Sequence, residues 1–164
     1  MEISDRILFM KYALPCAGTL VRRGTVTQEY VDSLISIVAR GAEPYDGAER
    51  MFKVANAVCN DLAEKMGKSS IDSEVIRKYF LLEHARVVDD RYKLMGDFDP
   101  VACNTYSGKV VSLDFGKAVV KTRLGSNTYR IDFANDIREE DEVIVHWDFV
   151  VERMPEGFPL PIPH

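Results

Sequence analysis

Two side chains in the last third of the chain have the chemistry of a metal-binding or thiol-transfer pair. Cys103 stands ahead of the run Gly108-Lys109-Val110, and His146 sits between the apolar run Val143–Val145 and Trp147. Thiolate is a soft, strong metal ligand. An imidazole can be a second ligand, or can lower the thiol pKa when it is protonated. The plainer alternatives are a small buried hydrophobe for Cys103 and a satisfied core histidine for His146. Cys16 follows Pro15 and reads as structural, with a third thiol of the site as the alternative. Cys59 lies on an apolar helical face, and His84 reads as a helix C-terminal residue favoured by the dipole.

Aromatic residues flank both candidates. Tyr106 and Trp147 suit either barrel packing or an interface, and with Lys109 and Phe149 they are the candidate partner-binding residues. Asp89, Asp90, Asp97 and Asp99 lack the ligand spacing of a cation-binding loop and read as a solvated linker. The sequence holds no GxGxxG, P-loop, HExxH or GxSxG pattern. No oxyanion or pocket signal accompanies the Cys/His pair, so the chain is not expected to be an enzyme.

The elements that must position these residues change character near residue 100. Before it, apolar residues recur at helical spacing; after it, short alternating runs are separated by Gly and Asn. Helices are expected over about Ser4 to Tyr12, stopped by Pro15, and Val26 to Arg40, where Thr25 and Gln28 have capping-box spacing. Val31, Leu34, Ile35 and Val38 form the buried stripe of the second. A third helix is expected after Asp46, with Met51, Val54, Ala55, Val58 and Leu62 on one face, and a fourth from near Ser70 towards His84. Cys16 to Gly24 reads as a loop and residues 88–100 as a linker. Strands are expected over Lys109–Leu113, Ala118–Thr122, Thr128–Phe133 and Val143–Val151. So many short strands in so few residues favour a small closed barrel, which removes exposed edges.

Composition narrows the class. The 164 residues carry a formal net charge of -5 with 46% hydrophobic content, which suits one ordinary domain or two small ones. An acidic balance without clustered Lys and Arg makes nucleic acid a poor first partner. No apolar run approaches the roughly 18–20 residues that span a bilayer, and the charged start does not read as a signal peptide. A cytoplasmic location without membrane attachment is expected. The three widely spaced cysteines form no CxxC pair and are expected as reduced thiols.

The segment from Cys103 resembles the HypC/HupF-type hydrogenase assembly chaperones. That family begins with Cys, four residues, then Gly-Lys-Val entering the first strand. Here Cys103 is followed by Asn104-Thr105-Tyr106-Ser107 and then Gly108-Lys109-Val110. The family's later signature, an acidic residue and then a V-I/L-V-H-x-x-F core, is matched by Asp141, Glu142 and Val143-Ile144-Val145-His146-Trp147-Asp148-Phe149. The likeness covers about residues 101–154. It differs in that Cys103 is internal and is followed by Asn-Thr-Tyr-Ser rather than x-Ala-Ile-Pro, and Asp148 stands where the family has Gly.

An α+β protein is expected: the helical spacing predicts an N-terminal helical bundle over 1–98, the resemblance implies a HypC-like (OB-like) β-barrel over 99–154, and the prolines mark an extended tail over 155–164. The resemblance also implies a chaperone or scaffold for nickel–iron hydrogenase maturation. Cys103 and His146 would hold iron carrying cyanide and carbon monoxide, passed between a maturation protein and the large-subunit precursor. Two other readings stand beside it. One is a protein-interaction adaptor with the same barrel and no metal. The other is an OB-like nucleic-acid binder stacking bases on Tyr106, Tyr129 and Trp147.

Overall fold

The computed structural model describes residues 1–158; residues 159–164 of the expected tail lie outside the described residues. The chain is mixed α+β and divides between Glu83 and His84 into two compact units.

The first unit is helical. Helix α1 (Arg6–Ala13) starts where the Asp5 side chain accepts from the Leu8 N–H, satisfying one of the orphan donors of a helix N-terminus. Pro15 does not stop the chain from coiling. It sits at the start of a 3-10 turn, Leu14–Cys16, where its missing N–H costs nothing. The chain then enters α2 (Ala17–Arg22), so the loop expected over Cys16 to Gly24 is largely helical. Helix α3 (Gln28–Ala39) is capped by Thr27, not Thr25, and buries Val31, Leu34, Ile35 and Val38 as the spacing predicts. A 3-10 turn (Ala48–Met51) leads into α4 (Lys53–Lys65), which buries Ala55, Cys59, Leu62 and Ala63. Asp72 caps α5 (Ser73–Lys78), and a π segment, Tyr79–Glu83, follows. The core of the unit is aromatic. Phe9 meets Phe52 and Phe80 edge-on at 6.4 and 6.2 Å, and Tyr12 stacks on Phe80 at 5.0 Å.

The second unit opens with α6 (His84–Met95), so most of the expected linker is helix. No Gly or Pro interrupts it until Gly96, whose positive φ and N–H bond to the Tyr92 carbonyl end it. Arg86 and Lys93 face Asp90 at i,i+4 and i,i+3 spacing along its outer side.

Five strands then close a barrel in the order β1-β2-β3-β5-β4. They are β1 (Thr105–Asp114), β2 (Lys117–Thr122), β3 (Gly125–Arg130), β4 (Glu142–His146) and β5 (Phe149–Arg153). The single strand expected over Val143–Val151 is in fact the β4–β5 hairpin. Its turn, Trp147-Asp148, carries no Gly or Asn, and Trp147 itself takes φ 52. A left-handed bulky residue is strained, and nothing in a residue alphabet announces it. The first and fourth strands pair antiparallel from Thr105↔His146 to Lys109↔Glu142. Closure on the other side is short: Arg130↔Phe149 is the one parallel pair between β3 and β5, supported by the Arg130 N–H bond to Asp148 O at 2.7 Å.

Gly108 makes the tight barrel possible. A Cβ there would stand 2.6 Å from Val120 Cγ1 and 2.8 Å from the Lys121 carbonyl oxygen. The interior is filled by Tyr106, Val110, Val120, Tyr129, Val143, Val145 and Val150, with smaller neighbours Ala118 and Ala134. Among the described residues no helix is long and apolar enough to cross a membrane.

Candidate metal centre

Strand β4 is buried along both of its faces. Val143 and Val145 fill the barrel, and the alternation of a strand therefore turns Ile144 and His146 to the opposite face. His146 is 0% exposed there, an unusual place for an imidazole without a specific role. Its Cα partner on β1 is Thr105, two residues beyond Cys103. Register thus carries Cys103 to the end of β4 that holds His146, which the sequence pattern alone did not require.

Cys103 ends a short turn that fixes its backbone. The Cys103 N–H donates to Asp99 O at 3.0 Å, the Val101 N–H to Asp99 Oδ1 at 2.9 Å, and Asn104 Nδ2 to Pro100 O at 2.9 Å. The Asp99 carboxylate thus serves the turn, while Asp90 pairs with α6 cations. Cys103 is half-buried and not disulfide-bonded.

The third member of the site is His84, the first residue of α6, which is 6% exposed. It lies inside a continuous helical run that goes on to Met95, so a dipole role at a C-terminus does not apply. Its ring meets that of His146 edge-on, with centroids 5.1 Å apart and planes at 84°. Burial pushes the His84 ring below its ordinary pKa. A hydrogen bond to the Cys103 side chain acts the other way, and the neighbouring His146 adds to the depression. One ligand atom from each of His84, Cys103 and His146 lies within 4.8 Å of the others. Ligands sharing one zinc-sized ion stand roughly 3.5 Å apart, given bonds of about 2.0–2.3 Å. Contraction by about 1 Å, within reach of side-chain rotation, would bring the three onto a common ion.

The residues that follow Cys103 and His146 are also unusual. Asn104 Oδ1 and Trp147 Nε1 are buried with no hydrogen-bond partner. Buried polar atoms are nearly always paired, so these two mark the ends of β1 and β4 as a polar, under-satisfied spot.

The other residues singled out by sequence are placed differently. Tyr106 is in the barrel interior, with its hydroxyl donating to Val101 O at 2.6 Å and Arg123 over its ring. Phe149 is 3% exposed, stacked on Phe133 at 4.9 Å under Arg130. Tyr129 also faces the barrel core. Lys109 is exposed and pairs with Glu140 at 3.7 Å. In the helical unit, Cys16 closes the 3-10 turn half-buried. Cys59 is fully buried, and that burial pushes its thiol up to about 12, which makes it inert as a ligand. A concavity on the barrel, lined by Phe115, Lys117, Arg130 and Asp148 among others, carries both signs of charge and no His or Cys.

His84 is the residue that sequence reasoning missed. Its neighbours give it helical context and nothing more; only its packing against His146 reveals it. No family model and no curated protein matches the chain.

Proposed function

We propose that this is a metal-binding protein in which a thiophilic first-row ion is held by His84, Cys103 and His146. The observation that carries the reading is the convergence of two imidazoles and a thiol at one end of the barrel. One thiolate and two neutral imidazoles form a donor set of borderline softness with a position left for a further ligand, which suits zinc or ferrous iron. His84 is kept in the uncharged form that a ligand requires.

The resemblance of Cys103-x4-Gly108-Lys109-Val110 and Val143-Ile144-Val145-His146 to the HypC/HupF chaperones supplies the finer proposal. The centre carries iron for metallocentre assembly, with a maturation protein and a hydrogenase large-subunit precursor as donor and acceptor. A buried site exchanges its ion slowly with solvent, so transfer would need a partner to open it. Burial of both imidazoles favours a second reading as well: a resident ion that stabilises an adaptor barrel and is never passed on.

The test is anaerobic expression with iron and zinc supplied, followed by metal quantification and infrared spectra. About one ion per chain is expected, lost in Cys103→Ser and His146→Ala. Bands of iron-bound cyanide and carbon monoxide would support the assembly role. A bound ion without those bands favours the resident site. A protein purified and reconstituted without any metal sinks both.

A further inference from the structure

The Cys103 carbonyl oxygen meets two rings at once. His84 Nε2 lies 2.8 Å from it and His146 Nε2 lies 3.2 Å from it. A carbonyl oxygen has two lone pairs and no hydrogen to give, so both nitrogens must be the donors. In a neutral imidazole that leaves the lone pair on Nδ1. We propose that Cys103 acts in both layers of the centre: its sulfur is a ligand, and its carbonyl holds both imidazoles in the Nε2–H tautomer, so that the ion is bound through the two Nδ1 atoms. The proposal rests on the metal-binding reading above and adds how the site is prepared for the ion.

The carbonyl is well placed for this work. The bonds from Cys103, Val101 and Asn104 back to Asp99 and Pro100 lock the turn that carries it. On its other side, Thr105 is in register with His146 across the sheet. The oxygen therefore cannot swing away from either ring without breaking the turn or the β1–β4 ladder. Metal-bound histidines commonly give their other N–H to a carbonyl, which sets ring orientation and raises ligand basicity. Here one oxygen serves two rings, so one turn positions two donors. The edge-on crossing of the rings keeps them from stacking face to face over that oxygen. A Cys at this position thus does more than a thiol placed elsewhere could, because ligand sulfur and orienting carbonyl belong to the same residue.

Long-range proton–nitrogen correlation spectra of the reduced full-length protein test this directly, first metal-free and then with cadmium. Both rings are expected as Nε2–H tautomers in the metal-free protein. With cadmium, scalar coupling is expected to Nδ1 of His84 and His146 while both Nε2–H groups remain. An Nδ1–H tautomer in either ring, or cadmium coupling to an Nε2, overturns the proposal while leaving the metal site standing. Failure of cadmium to bind overturns the metal-binding reading and the ligation mode together. In Cys103→Ala, which removes the sulfur and keeps the carbonyl, the metal-free tautomers are expected to be unchanged. A tautomer switch in that variant would mean that the thiol, not the carbonyl, sets them.

Discussion

The chain contains three thiols with three different surroundings, and their reactivity should divide accordingly. Cys59 is sealed in α4 and its thiol is pushed up to about 12, so almost none of it is thiolate near neutrality. Cys103 is half-buried and hydrogen-bonded to an imidazole. Alkylation of the native, metal-free protein is expected to modify Cys103 and leave Cys59 untouched until the chain is unfolded. Added zinc or cobalt is expected to slow the Cys103 reaction at least tenfold, because a coordinated sulfur is no longer a nucleophile of ordinary reach. Mass spectrometry of the labelled peptides reads both effects. Labelling of Cys59 as fast as Cys103 would contradict the burial on which the assignment rests.

At the scale of elements, the β1 entry explains why Gly108 stands where it does. The strand must pass within van der Waals contact of Val120 and the Lys121 carbonyl to close so small a barrel, and a side chain has no room there. Gly108→Ala is therefore expected to destabilise the barrel by about 1–3 kcal/mol, the usual cost of overpacking. The chain's one Trp is Trp147, in the β4–β5 turn, so its fluorescence through a denaturant titration reports this unit. The same variant should weaken metal binding, since Thr105 and Gly108 lie on the β1–β4 ladder that brings Cys103 to His146. An unchanged midpoint would mean that the strands separate at that point more easily than the packing suggests.

At the scale of the whole molecule, an ion that binds only the folded state adds stability by mass action. A free ion at about 100 times its dissociation constant contributes roughly 2.7 kcal/mol. Zinc or cobalt should raise the thermal midpoint followed by Trp147 fluorescence, and a chelator should return it to the metal-free value. Cys103→Ser should abolish the rise. A wild-type midpoint indifferent to both additions would leave the buried histidines as core residues.

Much of this was legible in the sequence because it is local. The α3 stripe Val31, Leu34, Ile35 and Val38 follows from helical period. The alternation of Lys109–Leu113 and Ala118–Thr122 follows from the period of a strand, and the closed barrel follows from many short strands needing no open edges. The candidates Cys103 and His146 were legible too, as residue types set beside apolar runs. What the sequence could not carry is non-local or contrary to local preference. Pro15 continues a helical path because it falls where no N–H is needed. Residues 88–95 coil because nothing in them breaks a helix, despite their charge. Trp147 turns a chain that reads as one strand, at a φ that its side chain disfavours. His84 joins the site through packing against His146, and the Cys103 carbonyl reaches both rings only because a folded turn aims it. The sequence by itself determined which residues can bind a soft ion and the periods of the elements that bear them. The tertiary structure alone decided which of them meet, because the distances between ligands are set by strand register and packing across tens of residues, and neither is written in any short stretch of chain.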